Sequence, residues 1–201
     1  MNGKISGESS IMNLDVMIYS IIDQNGPTSI PSICQKINSY FFIRGVKIKP
    51  IGQAQILSAI RRKKDTFQMD NGLVILRPER ILTTFIAEIG TCHSPWFKVK
   101  VDFLRKTFIL LEMNLDLDHQ LQYQPLKAGS TDDFKLEIYK LKCWDWESSY
   151  EKQEIVLDGI CWSIRLKTIT NSYKSEGLDL FPKEWPAFYE ALTRLLGKKL
   201  C

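Results

Sequence analysis

Between Lys47 and Pro78 the chain reads KIKPIGQAQILSAIRRKKDTFQMDNGLVILRP, and this segment leaves few folding options. Ile56, Leu57, Ala59 and Ile60 recur at helical spacing, so a helix from about Pro50 to Lys64 buries them on one side. Projected at about 100° per residue, Ala54, Gln55, Ser58, Arg61 and Arg62 fall on the opposite side. Thr66 to Leu76 then reads as a hairpin about Asp70-Asn71-Gly72, because Asn-Gly suits the two positive-φ positions of a type I′ turn. Four consecutive bases, Arg61, Arg62, Lys63 and Lys64, stand between helix and hairpin.

Upstream, residues 1–10 are polar and Gly/Ser-rich, a disordered lead-in by composition. Leu14, Met17, Ile18, Ile21 and Ile22 predict a helix over Asn13 to Asp23, stopped by Asn25-Gly26-Pro27. Thr28 or Ser29 can cap a second helix with Pro31 in its first turn and Ile30, Ile33, Cys34 and Ile37 facing inward. Tyr40 to Val46 is apolar and β-favouring, and predicts a short first strand. Helix, helix, helix and hairpin is the order of a winged helix-turn-helix, covering residues 11–78. The run IGQAQILSAIRRKKDTF followed by MDNGLVIL resembles the winged helix-turn-helix family called HARE-HTH, whose members occur in chromatin factors, restriction systems and bacterial transcription proteins. The resemblance rests on Gln55-Ile56, Ala59-Ile60, Phe67 and the hairpin ending in Leu76. These are packing positions, so it implies the fold rather than an activity.

The remainder predicts a second domain. Pro78 to Gly90 carries Ile81, Leu82, Phe85, Ile86 and Ile89 on one side of an amphipathic helix, so residues 79–90 read as a connecting or dimer helix. From residue 91 to 201 the pattern is that of a sheet with a covering helix. Phe97, Val99, Val101 and Phe103 alternate with Lys98, Lys100 and Asp102 as a half-buried strand, and Thr107 to Leu111 is its partner. Asn114 to Asp133 is polar and reads as a long loop. Phe134, Leu136 and Ile138 alternate again. Glu154 to Leu157 pairs across Asp158-Gly159 with Ile160, Trp162, Ile164 and Leu166, and Thr168 to Lys174 adds an edge strand. Pro182 to Gly197 closes the chain as a helix striped by Trp185, Phe188, Tyr189, Leu192, Leu195 and Leu196. The expected fold class is therefore α+β: an N-terminal winged helix-turn-helix, then an antiparallel sheet with a C-terminal covering helix. The run DGICWSIRL … SEGLDLFPKEWPAFYEAL resembles a small α+β module of uncharacterised bacterial proteins, and that resemblance adds no activity.

Charge is divided between these parts. The formal net charge is +4, yet residues 1–80 hold 11 Lys and Arg against 6 Asp and Glu. From Lys36 through Lys64 there are eight bases, Arg44, Lys47 and Lys49 among them, and no acid. Duplex DNA carries a phosphate charge about every 1.7 Å of its axis, so such a surface gains free energy by releasing condensed counterions. On this fold Lys47, Lys49, Lys63 and Lys64 can position the helix through phosphates. Gln55, Ser58 and Arg61 or Arg62 reach base edges, Gln suiting adenine and Arg guanine. The hairpin at Asn71 touches backbone or minor groove. The bland alternative is a solvated helix end, where bases complement the macrodipole. An acidic protein partner is the other.

Catalytic signals are sparse. Only His93 and His119 are present, and Cys92-His93 as strand neighbours would point to opposite faces. Asp116, Asp118 and His119 share one polar loop, which is a weak metal signal. Glu137, Glu147, Glu151 and Asp158 have no spacing that makes a metal-ion nuclease site. No phosphate-binding glycine loop, nucleophile elbow or zinc-protease motif occurs. Cys34, Cys92, Cys143, Cys161 and Cys201 never form a C-x-x-C pair, which argues against a disulfide framework or zinc site and for a reducing, cytoplasmic home. Cys34 and Cys161 read as core residues. Trp144-Asp145-Trp146 reads as one strand face, and with Trp162, Trp185, Phe181 and Tyr189 these rings read as core before they read as a ligand pocket. The expectation is a non-enzymatic protein without cofactor or metal. Its winged helix contacts duplex DNA and its C-terminal domain dimerises or meets a partner, as in a regulator or an accessory of a bacterial defence or mobile-element system. The rival is a protein–protein adaptor, with an enzyme only as a remainder. No membrane partner is expected.

Overall fold

The computed structural model describes residues 13–91, 96–113, 121–124, 129–151 and 159–200. Among these residues the chain is mixed α+β, with five α-helices and two sheets, and it divides into compact units over 1–77 and 78–201.

In the first unit α1 (Leu14–Asn25) ends where Gly26, at φ 74°, donates its N–H to Ile22 O at 2.8 Å. β1 (Thr28–Ser29) follows at once. Ser29 then caps α2 (Ile30–Ile43), its hydroxyl accepting from the Ser32 N–H, with Pro31 in the first turn as its spacing requires. Tyr40 to Val46 forms no strand. Ile33, Ile37 and Phe41 are buried at four-residue spacing, and their packing carries the helix through a β-favouring run to Ile43. The strand expected there is instead the two residues Thr28 and Ser29, too short to show any period.

α3 (Gln53–Arg62) follows, then β2 (Phe67–Asp70) and β3 (Leu73–Leu76). Asn71 and Gly72 turn the hairpin at φ 47° and 78°, both positive as a type I′ turn demands. β1 adds to the far side of β3, giving sheet order β1-β3-β2. Ile18, Tyr19, Ile33, Ile37, Ile56, Phe67 and Val74 close the core of this unit.

Among the described residues of the second unit seven strands take the order β7-β6-β5-β4-β9-β10-β8. They are β4 (Leu82–Gly90), β5 (Trp96–Asp102), β6 (Thr107–Met113), β7 (Leu121–Gln124), β8 (Ser149–Tyr150), β9 (Cys161–Thr168) and β10 (Ser172–Leu178). All neighbours are antiparallel except β8 and β10. α4 (Thr131–Leu141) and α5 (Trp185–Leu196) bring Phe134 and Phe188 onto Phe85 of the central strand, with ring centroids 5.0 and 5.9 Å away.

Several expectations fail in this unit. Residues 79–90 are not a connecting helix: after a single 3-10 turn at Pro78–Arg80 they form β4. A register shift between Leu82 and Thr84 inserts one residue. Leu82 and Phe85 therefore share the buried side at a spacing of three, which imitates a helix in sequence. Beyond the bulge Phe85, Ala87 and Ile89 alternate as a strand should. Phe134, Leu136 and Ile138 are not a strand either. Ser130 caps α4 by accepting from the Asp133 N–H, and Phe134 and Ile138, four residues apart on that helix, are both buried.

Trp144-Asp145-Trp146 is likewise no strand, for Cys143–Asp145 is a 3-10 turn after Lys142 in the left-handed region. The strand expected at 168–174 runs instead from Ser172 to Leu178, and β8 covers its outer side. Within the polar stretch 114–133 lie β7 and the start of α4, while 114–120 and 125–128 are outside the described residues. The same holds for the strand expected at 154–157. Cys34 and Cys161 are only half-buried, and among the described residues the fully buried thiol is Cys143.

Candidate nucleic-acid interface

α3 has two sides of opposite character. Ile56, Ala59 and Ile60 are buried, while Ala54, Gln55, Ser58, Arg61 and Arg62 are exposed. Among the described residues no carboxylate pairs with Arg61 or Arg62. The helix starts at Gly52, whose N–H is satisfied by Gln55 Oε1 at 2.8 Å. That bond sets Gln55 apart from the other candidates. Reading adenine takes the carbonyl and the amino group of a glutamine together, and here the carbonyl is already engaged in the cap.

The bases at the end of α3 also divide. Lys63 is half-buried, and its Nζ stands 3.5 Å from the Asp15 carboxylate on α1. It neutralises an acid whose side chain keeps 12% of its exposure. Lys64 is exposed, and its carbonyl accepts from Arg77 Nε at 2.6 Å, which ties the helix end to the base of the hairpin. Lys36, first of the eight bases, donates to Asn25 Oδ1 at 3.0 Å. Lys47, Lys49 and Asn71 are all exposed. The outward bases on and beside α3 are thus Lys47, Lys49, Arg61, Arg62 and Lys64. Ser58 lies among them, and Asn71 stands at the hairpin tip.

The segment before α3 carries a feature that periodicity did not disclose. Asn38 on α2 binds both main-chain groups of Ile51: Nδ2 donates to the carbonyl at 2.9 Å and Oδ1 accepts the N–H at 2.8 Å. Cys34 adds its thiol to the same carbonyl. Every residue from Phe42 to Pro50 is exposed, Phe42 at 86% and Ile43 at 81%. The visible signal was the mixture itself, four large apolar residues among three bases, of which Phe42 and Ile43 end α2 and the rest precede α3.

In the second unit the other candidates resolve into packing or pairs. Trp162, Trp185, Trp146 and Phe188 meet at centroid distances of 4.5–6.3 Å, an aromatic core under α5. A cavity of about 390 Å³ at one end of the sheet is lined by Glu88, Trp96, Glu151, Cys161 and Glu176. Lys98 meets Glu88 and Lys174 meets Glu176, each at 2.6 Å. Glu137 is paired to Lys140 along α4. Glu147 and Glu151 are exposed. Burial pushes the Cys143 thiol far above the usual range, with the Glu184 charge adding to it, so the group stays protonated. Among the described residues no three His, Cys, Asp or Glu side chains gather as a metal site, and no helix is long and apolar enough to cross a membrane. Cys92, His93, Asp116, Asp118, His119, Asp158 and Cys201 lie outside the described residues.

Comparisons with protein-family models, with curated proteins and with solved structures find no match to this chain.

Proposed function

We propose that the first unit is a winged helix-turn-helix that binds duplex nucleic acid, with α3 as the groove-facing helix and the Asn71-Gly72 hairpin as its wing. The order α1-β1-α2-α3-β2-β3 and the sheet order β1-β3-β2 support this reading. So does the burial of Ile56, Ala59, Ile60, Phe67 and Leu76, five of the positions on which the likeness to HARE-HTH rests; the sixth, Gln55, is exposed and caps the helix instead of packing.

Within that class the protein is a DNA-binding regulator or accessory subunit rather than an enzyme, its second unit serving for self-association or partner contact. The observation that carries it is the exposed pair Arg61 and Arg62 on the side of α3 opposite Ile56 and Ile60, without carboxylate partners among the described residues. Arg61, Arg62 and Ser58 are the base-reading candidates. Lys47, Lys49 and Lys64 are phosphate contacts, and Lys63 and Gln55 hold the helix in place. Titration with generic duplex DNA at rising salt tests the reading. Log affinity falls linearly with log salt if phosphates are being contacted, whereas no binding at low salt leaves the protein–protein adaptor in its place.

A further inference from the structure

Residues 42–50, FIRGVKIKP, form an arm made of the last two residues of α2, Phe42 and Ile43, and the first seven residues of the link to α3. The Asn38–Ile51 bonds close its base, and Gly45 turns the arm at φ 65°. Along it Phe42 and Ile43 stand almost fully in solvent, Val46 and Ile48 about two-fifths so. Between them come Arg44, Lys47 and Lys49. Arg44 lies over the Tyr40 ring at 4.6 Å, which holds one cation beside the apolar tip.

A partner for this arm must offer apolar surface and negative charge together. A second copy of the arm supplies no negative charge and would set three bases against three. An anionic bilayer also offers both, but the exposed side of the adjoining α3, which is Ala54, Gln55, Ser58, Arg61 and Arg62, adds no large apolar side chain to enter it. A duplex opened at one base step supplies both requirements: the exposed ring faces of unstacked bases, and phosphates on either side. Resting on the DNA reading above, we infer that the arm is an intercalating wedge. Phe42 and Ile43 enter a base step while Arg44, Lys47 and Lys49 hold the flanking phosphates, and the duplex is kinked beside the α3 contact.

The test uses the full chain and two duplexes of one sequence, fully paired or with a single central mismatch that lowers the cost of unstacking. The wild type binds the mismatched duplex about tenfold more tightly. F42A/I43A binds both alike and weakly, with an unchanged salt slope because no charge is lost. K47Q/K49Q keeps the mismatch preference and loses about two from the slope. Phe42 and Ile43 support no packing, so the double variant melts with the wild type, and circular dichroism checks that it does. Wild-type affinity for both duplexes in F42A/I43A overturns the wedge and leaves the DNA reading standing. Absence of DNA binding by the wild type overturns both. Capture of phosphatidylserine vesicles that F42A/I43A abolishes, with DNA binding intact, makes the arm a membrane contact and overturns the wedge alone.

Discussion

Lys63 and Lys64 are neighbours in sequence with the same charge, and the structure gives them opposite work. Lys63 neutralises Asp15, whose second oxygen is buried without a hydrogen bond among the described residues. Removing Lys63 leaves that carboxylate uncompensated, so Lys63→Met lowers stability by about 1–3 kcal/mol. Lys64→Met, at an exposed position, leaves the urea midpoint where it was. Chemical denaturation of the two variants side by side reads the difference, and equal midpoints would deny the Lys63–Asp15 pair. Cys143 shows the same influence of surroundings on chemistry. Its thiol is buried and held protonated, and the thiolate is the reactive form. A disulfide reagent at about pH 8 therefore leaves Cys143 unlabelled in the folded protein and modifies it after urea. Rapid labelling of Cys143 in the native state, read by mass spectrometry, would contradict its burial.

At the scale of elements, what could be read beforehand depended on how far each residue's own preference agreed with its packing. The Asp70-Asn71-Gly72 turn was legible because only a few residue types accept two positive φ angles in succession. α3 was legible because Ile56, Ala59 and Ile60 keep one period over its whole length. β4 was not. Its bulge moves Leu82 out of phase with the strand, so the apolar positions fall at helical spacing even though Thr83, Thr84 and Ile86 are β-branched. α4 was missed for the converse reason: Phe134, Leu136 and Ile138 alternate, while the decisive signals were the Ser130 cap and the burial of Thr131, Lys135 and Tyr139.

At the candidate site the exposed side of α3 followed from its period. The capping role of Gln55 and the ion pair of Lys63 did not, since both depend on backbone geometry or on a partner far away in sequence. Gln55→Ala removes a helix-start bond and lowers stability by about 0.5–1 kcal/mol in thermal unfolding, with little change in sequence preference for DNA. A changed base preference with unaltered stability would return Gln55 to base reading. Ser130→Ala costs about 1 kcal/mol through the loss of the α4 cap, and a midpoint equal to wild type would argue that the cap is dispensable.

For the whole molecule, two compact units share one chain but differ in charge. The first carries the outward bases of α3 and the acid-free arm, whereas the second holds 17 Lys and Arg against 18 Asp and Glu, some of them paired as in Lys98–Glu88, Lys174–Glu176 and Lys106–Asp132. An anionic polymer should therefore be met by the first unit alone. Salt dependence of duplex binding resolves this, measured for the wild type, for R61A/R62A on α3, and for R165A/K167A, two exposed bases on β9 of the second unit. The account predicts a linear fall of log affinity with log salt in all three. The slope should be shallower by about one to two in R61A/R62A and unchanged in R165A/K167A. A slope untouched by R61A/R62A, or lost with R165A/K167A instead, would contradict the assignment of α3 as the DNA-facing helix.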